Sequence, residues 1–194
     1  MRKDIIRSLI AIAGATIVLG LVYPAVMAGI GQLAFNNQAN GSLISLNGKV
    51  VGSRLAAQPF TGSQWFHPRP SATEPAYNAD GTTFSNLGPN SKALKQLVDQ
   101  RIAAILKLEG PYNPGLTARD IPVDAVTASG SGIDPEISRA YAELQAPRIA
   151  AVRNLPLSTV QQLISDHTTG RTFGFLGEPG VNVLELNIAL DQEH

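Results

Sequence analysis

The sequence predicts a mixed α/β (α+β) soluble domain tethered by one N-terminal transmembrane helix. Three observations predict it. An uncharged apolar run lies near the start, short strand and helix signals alternate after it, and between them runs a proline- and aromatic-rich stretch with neither period.

Residues Ser8 to Gly48 carry no Asp, Glu, Lys, Arg or His, and from Ser8 to Phe35 the only amide is Gln32. About 20 apolar residues cross roughly 30 Å of hydrocarbon, so residues 8–33 are the expected membrane helix, behind a basic start at 1–7. Arg2, Lys3 and Arg7 precede it, and the next positive charges are Lys49 and Arg54. Positive residues flanking a span stay cytoplasmic, which places the N-terminus inside and the domain outside. A cleaved signal peptide is the competing reading, with Val26-Met27-Ala28 as a small-residue cleavage site. Signal cores run about 7–15 residues, and this run is longer, which favours a retained anchor. Pro24 is tolerable in lipid, where neighbouring helices take up the freed carbonyl. Gly14, Gly20, Ala28 and Gly31 are the candidate positions for close approach of another helix.

The chain has 194 residues, 15 Lys+Arg against 15 Asp+Glu, and no cysteine. Zero net charge and the lack of a basic cluster argue against nucleic acid as a partner. Without cysteine there is no disulfide and no thiolate chemistry. The residues beyond the span suffice for one domain with its own core.

Residues 34–42 form a polar connector, and the domain proper is expected at 43–194. Leu43 to Leu55 reads as two short strands around Asn47-Gly48, a dipeptide suited to a type I′ turn. Residues 58–90 read as a long loop holding Phe60, Trp65, Phe66, Tyr77 and Phe84 among five prolines. Its aromatic area argues for order. Asn90 or Ser91 caps a helix whose stripe is Leu94, Leu97, Val98, Ile102 and Ile105, ended by Gly110-Pro111. Pro122 to Thr127 reads as a short buried strand. Asp134-Pro135 reads as the start of a helix that turns Ile137, Tyr141 and Leu144 inward and is interrupted near Pro147. Ser158 to Gln161 has capping-box spacing and opens a helix that stops by Gly170. From Val181 the chain fits either a helix or a strand, with helix preferred.

Little of this points to catalysis. The glycine-rich Ser129 to Gly132 lacks the Gly-Lys-Ser/Thr of a phosphate loop, and Asp134 would repel an anion there, so a tight connection is the better reading. Ser129 and Ser131 lack a Gly-x-Ser-x-Gly elbow. The histidines, His67, His167 and His194, show no metal-ligand spacing, and Asp120 and Asp124 are the closest loop carboxylates. Gln145 stands just before Pro147, where a helix end would leave it as a surface amide or a cap. Arg139, Arg148 and Arg153 read as a solvated face.

The chain resembles the C subunit of the Kdp-type potassium-transporting ATPase over essentially its whole length. The resemblance rests on Phe66 to Ala72 (FHPRPSA), Ser85 to Pro89 (SNLGP), Val123 to Pro135 (VDAVTASGSGIDP), Gln145 to Ala150 (QAPRIA) and the ending from Gly174 (GFLGEPGVNVLELNIALD), in order behind a single anchor. Gly180 stands where the family leads us to expect a basic residue. The resemblance implies a non-catalytic accessory subunit of a high-affinity potassium import complex in the bacterial inner membrane. Its implied partners are an ATPase subunit, a channel-like potassium-binding subunit and a small hydrophobic subunit. It also implies a catalytic chaperone that raises the ATPase subunit's affinity for ATP, with Gln145 as the nucleotide contact and ATP reached through the complex. The topology predicted above puts Gln145 on the side without ATP, which favours assembly and tuning over direct contact. Trp65, Phe66 and Arg69 in the aromatic loop are the expected partner contacts. The alternatives are a membrane-tethered extracytoplasmic hydrolase using Ser129 or His67, and a free-standing ligand-binding module.

Overall fold

The computed structural model describes residues 1–193 and divides the chain into two units, Met1–Leu43 and the residues from Ile44 onward. In the first, one continuous helix, α1, runs from Arg2 to Ala34 over 33 residues with none of its apolar window buried. Val18–Val22 widens into a π-helical turn, with the Tyr23 N–H donating to the Val18 carbonyl. Pro24 follows at once, so the wider turn comes where its ring would crowd the preceding backbone. A polar clasp forms at the far end: Gln32 Oε1 accepts from the side-chain amides of Asn36 at 3.0 Å and Asn40 at 3.1 Å. Gly14 has no heavy atom of another residue near its missing Cβ, and the neighbours of Gly20 and Gly31 are Thr16 and Ala39.

The second unit begins with the expected hairpin, β1 (Leu43–Leu46) and β2 (Lys49–Ser53). Asn47 and Gly48 both have positive φ, 51° and 78°, as a type I′ turn requires. Helix α2 (Lys92–Glu109) starts where Ser91 accepts from the Leu94 N–H. A three-stranded antiparallel sheet of order β3-β5-β4 joins Glu136–Ile137, Gly180–Asn182 and Thr168–Thr169. Its register pairs Ile137 with Val181 and Thr168 with Val181. Helices α4 (Arg139–Arg153), α5 (Leu157–Asp166) and α6 (Val183–Asp191) enclose the core with α2. Phe66, Ile137, Ala142, Ile149, Val160, Ile164, Leu186 and Leu190 are its centre.

Four expectations need correction. Pro122 to Thr127 is not a strand: Pro122 caps the helical turn α3 (Val123–Val126), which turns Ala125 and Val126 inward. Asp134 does not cap a helix. Its carboxylate accepts from the Glu136 N–H and pairs with Arg69 at 2.8 Å, while Glu136–Ile137 enters the sheet. Helix α4 starts later, where the Ser138 hydroxyl accepts from the Tyr141 N–H at 3.0 Å. Pro147 does not interrupt it. The helix gives up one backbone bond and continues to Asn154, which closes it in the left-handed region. Helix α5 opens behind Pro156, two residues earlier than the Ser158 box. The ambiguous ending resolves into both forms, strand to Asn182 and helix from Val183.

Candidate functional site

The centre of the domain is a polar network that fastens residues 63–67 from behind. Helix α4 brings Gln145 and Arg148 onto its inner face, and both are 0% exposed. The Gln145 amide faces one residue of the loop. Its Oε1 accepts from the His67 N–H at 2.8 Å and its Nε2 donates to the His67 carbonyl at 3.1 Å. Asn187 of α6 does the same for the preceding residue, accepting from the Phe66 N–H and donating to its carbonyl, both at 2.9 Å. Two side-chain amides thus stand in for a neighbouring strand.

Arg148 completes the row. Its guanidinium donates to the carbonyls of Ser63 and Trp65, to Gln145 Oε1 at 2.9 Å and to Glu109 Oε1 at 2.9 Å. Arg153 donates to the Gln64 carbonyl at 3.0 Å and lies over the Trp65 ring at 4.4 Å. Five successive carbonyls, from Ser63 to His67, therefore each meet a side-chain donor. The fork of a guanidinium suits this, because it offers five donors in fixed directions. Glu109 is 2% exposed and its Oε2 has no partner. Burial raises its pKa above the usual carboxylate range, against the opposing pull of Arg148. Burial likewise lowers the His67 pKa, aided by the Arg148 charge and opposed by the bond to the Gly62 carbonyl.

This corrects the reading of Gln145 and Arg148 as surface groups. Gln145 does not project from a helix end, and both of its polar atoms are engaged inside the protein. Phe66, expected as a partner contact, is 0% exposed and belongs to the core. Trp65 is half-buried between Arg153 and Phe60, whose ring centroid is 5.9 Å away. Arg69 is half-buried against Asp134, so the three expected contacts do not form one outward face. No signal in the apolar period marked Asn187 or Glu109, and the sequence reading missed both.

The residues proposed for hydrolysis do not meet. Ser129 is buried, and its hydroxyl accepts from the Gly132 N–H at 2.8 Å, closing its own turn. Gly132 is required there: its φ is +75°, and a Cβ would come within 2.6 Å of Thr73 Cγ2 and 2.9 Å of the Thr83 carbonyl. His67 Nε2 faces the Gly62 carbonyl, and His167 Nδ1 faces the Leu163 carbonyl in the last turn of α5. Asp120 accepts from Thr117, whereas Asp124 accepts from the Ser138 N–H and hydroxyl. Among the described residues no group of three metal-ligating side chains occurs.

Comparison with known proteins agrees along the whole chain. Residues 5–192 match the family model for KdpC, the K+-transporting ATPase c chain. The potassium-transporting ATPase KdpC subunit of Paraburkholderia phytofirmans is 52% identical over 192 residues, covering 98% of this chain and 97% of that one. The subunit of the same name from Acidobacterium capsulatum is 51% identical over 180 residues, 93% of each chain. That of Mycobacterium tuberculosis strain H37Rv is 46% identical over 192 residues, 99% of this chain and 100% of its own. The network built by Gln145, Arg148 and Asn187 is thus the centre of a chain that belongs to the KdpC family, the c chain of the K+-transporting ATPase.

Proposed function

We propose that the chain is a single-pass accessory subunit of an ATP-driven potassium importer in the bacterial cytoplasmic membrane. Helix α1 anchors it with the basic N-terminus inside, and residues 43–194 stand outside. The ATPase, channel-like and small hydrophobic subunits are its partners. It assists assembly and raises the ATPase subunit's apparent affinity for ATP without touching the nucleotide.

The family match supports the subunit reading, and the observation that carries its indirect action on ATP is the closure of the network around Gln145. A side chain with no exposure, whose oxygen accepts twice and whose nitrogen donates to a backbone carbonyl, presents no surface to a ligand. Gln145 therefore acts by holding residues 63–67 in place, and its influence on ATP is a coupling free energy carried through partner subunits. Such couplings are typically about 5- to 150-fold in affinity.

Two measurements test it. A side-specific reporter fused after the last residue should report the outer side, and a cytoplasmic signal would reverse the topology. The purified complex should show a lower apparent KM for ATP with this chain than without it, and an unchanged KM would remove the tuning role. Among the described residues Ser129 and His67 bond to their own loops and not to each other, which gives the hydrolase reading no support.

A further inference from the structure

The chain between β4 and β5 leaves the sheet as a hairpin whose apolar side chains face outward. Thr172 and Leu176 exchange backbone hydrogen bonds at 2.9 Å in each direction, the Gly174 N–H donates to the Arg171 carbonyl, and Arg171 pairs with Glu178 at the base. At the tip Phe173 is 85% exposed, Phe175 69% and Leu176 49%. Phe173 also has a φ of +53°, a region where a bulky side chain is an outlier. An aromatic held there, in water, is unfavourable in the isolated chain on both counts, and such positions cluster where a surface is used.

We propose that this tip, Phe173 with Phe175 and Leu176, docks in an apolar cleft of another subunit of the transporter. The inference rests on the reading of the chain as a subunit, but not on its effect on ATP. Charge selects this occupant over lipid. Interfacial membrane-binding elements carry Lys and Arg beside their aromatic and aliphatic face. Here no ionisable side chain lies between Arg171 and Glu178, and those two neutralise each other. Depletion of charge with enrichment of Phe is instead the composition of a protein interface core. A second copy is disfavoured by symmetry. The domain's own cavity of about 170 Å³ is lined by Gln58, Asn187 and Asp191 as well as Val51, Phe60 and Leu184, so a second copy offers the tip amides and a carboxylate, and tip-into-cavity contacts between copies are head-to-tail and build rings or open filaments.

The test is made on the complete complex. With p-benzoylphenylalanine in place of Phe173, irradiation should cross-link the chain to another transporter subunit. Cross-links only to lipid or to a second copy, or an intact complex with none, overturn the proposal. Phe173→Asp with Phe175→Asp should lower the partner subunits recovered with the chain by about tenfold or more, with the melting temperature of the isolated chain unchanged. Phe173→Gly should weaken recovery while the isolated chain melts no lower, because glycine suits the backbone. Normal recovery of both variants refutes the docking role. An unaltered KM for ATP beside a clear cross-link would sink the tuning role alone, and a wild-type chain that recovers no transporter subunit would remove both.

Discussion

Two segments of this domain share a composition and have opposite fates. Residues 58–90 and the hairpin at 171–178 are both rich in aromatic and glycine or proline residues. In the first, Phe66 goes to the centre of the core and its backbone is met by side chains from α4 and α6. In the second, Phe173 and Phe175 stay in water and the backbone bonds only to itself. The difference lies in distant polar residues. A loop can be buried only if its carbonyls and N–H groups find partners, and Gln145, Arg148, Arg153 and Asn187 supply them to one loop and not to the other.

The sharpest way to break this contrast is Arg148→Met. It strands the Glu109 carboxylate and the Ser63 and Trp65 carbonyls, and breaking a buried pair costs about 3–5 kcal/mol. Chemical denaturation should show a loss of that size, and adding Glu109→Leu should recover part of it. Phe66→Ala should cost a similar or slightly smaller amount, about 3–5 kcal/mol for a fully buried aromatic, whereas Phe173→Ala should cost almost nothing. Gln145→Ala should cost about 1–3 kcal/mol, since it leaves the His67 N–H and carbonyl buried and unpaired. If Gln145→Ala leaves stability untouched, the fastening role fails.

Acidification gives a smaller effect of defined sign. The folded-state pKa of His67 lies below its ordinary value of 6.5, so the unfolded chain binds a proton first. Stability should fall as pH drops from about 6.5 through the lowered value, and His67→Gln should flatten that slope. A small effect is also expected at the hairpin base. Arg171 and Glu178 are exposed, so Arg171→Ala should change stability by under about 1 kcal/mol.

What could be read from the sequence divides along the same line. The long apolar run, the Asn47-Gly48 turn and helix 92–109 follow from local patterns, and each stands where those patterns put it. The start of α4 was misread because Asp134-Pro135 is a good local cap, while a strand partner 46 residues away, Asn182 opposite Glu136, claims that segment for the sheet. The buried placement of Gln145, Arg148 and Glu109 was hidden for a deeper reason. Periodicity marks apolar residues as inner, so a polar side chain on an inner face reads as solvated. Gln145 meets His67 across 78 positions and Arg148 meets Glu109 across 39, separations that no motif spans. The exposed Phe173 and Phe175 failed in the opposite direction, since aromatic residues were expected to dock in the long loop.

The most direct test is a calorimetric titration of the full-length chain with MgATP in detergent, beside the KM for ATP of complexes with and without it. The expected result is no saturable binding to the chain alone and a lower KM when it is present. Saturable binding of MgATP to the isolated, folded chain would contradict it.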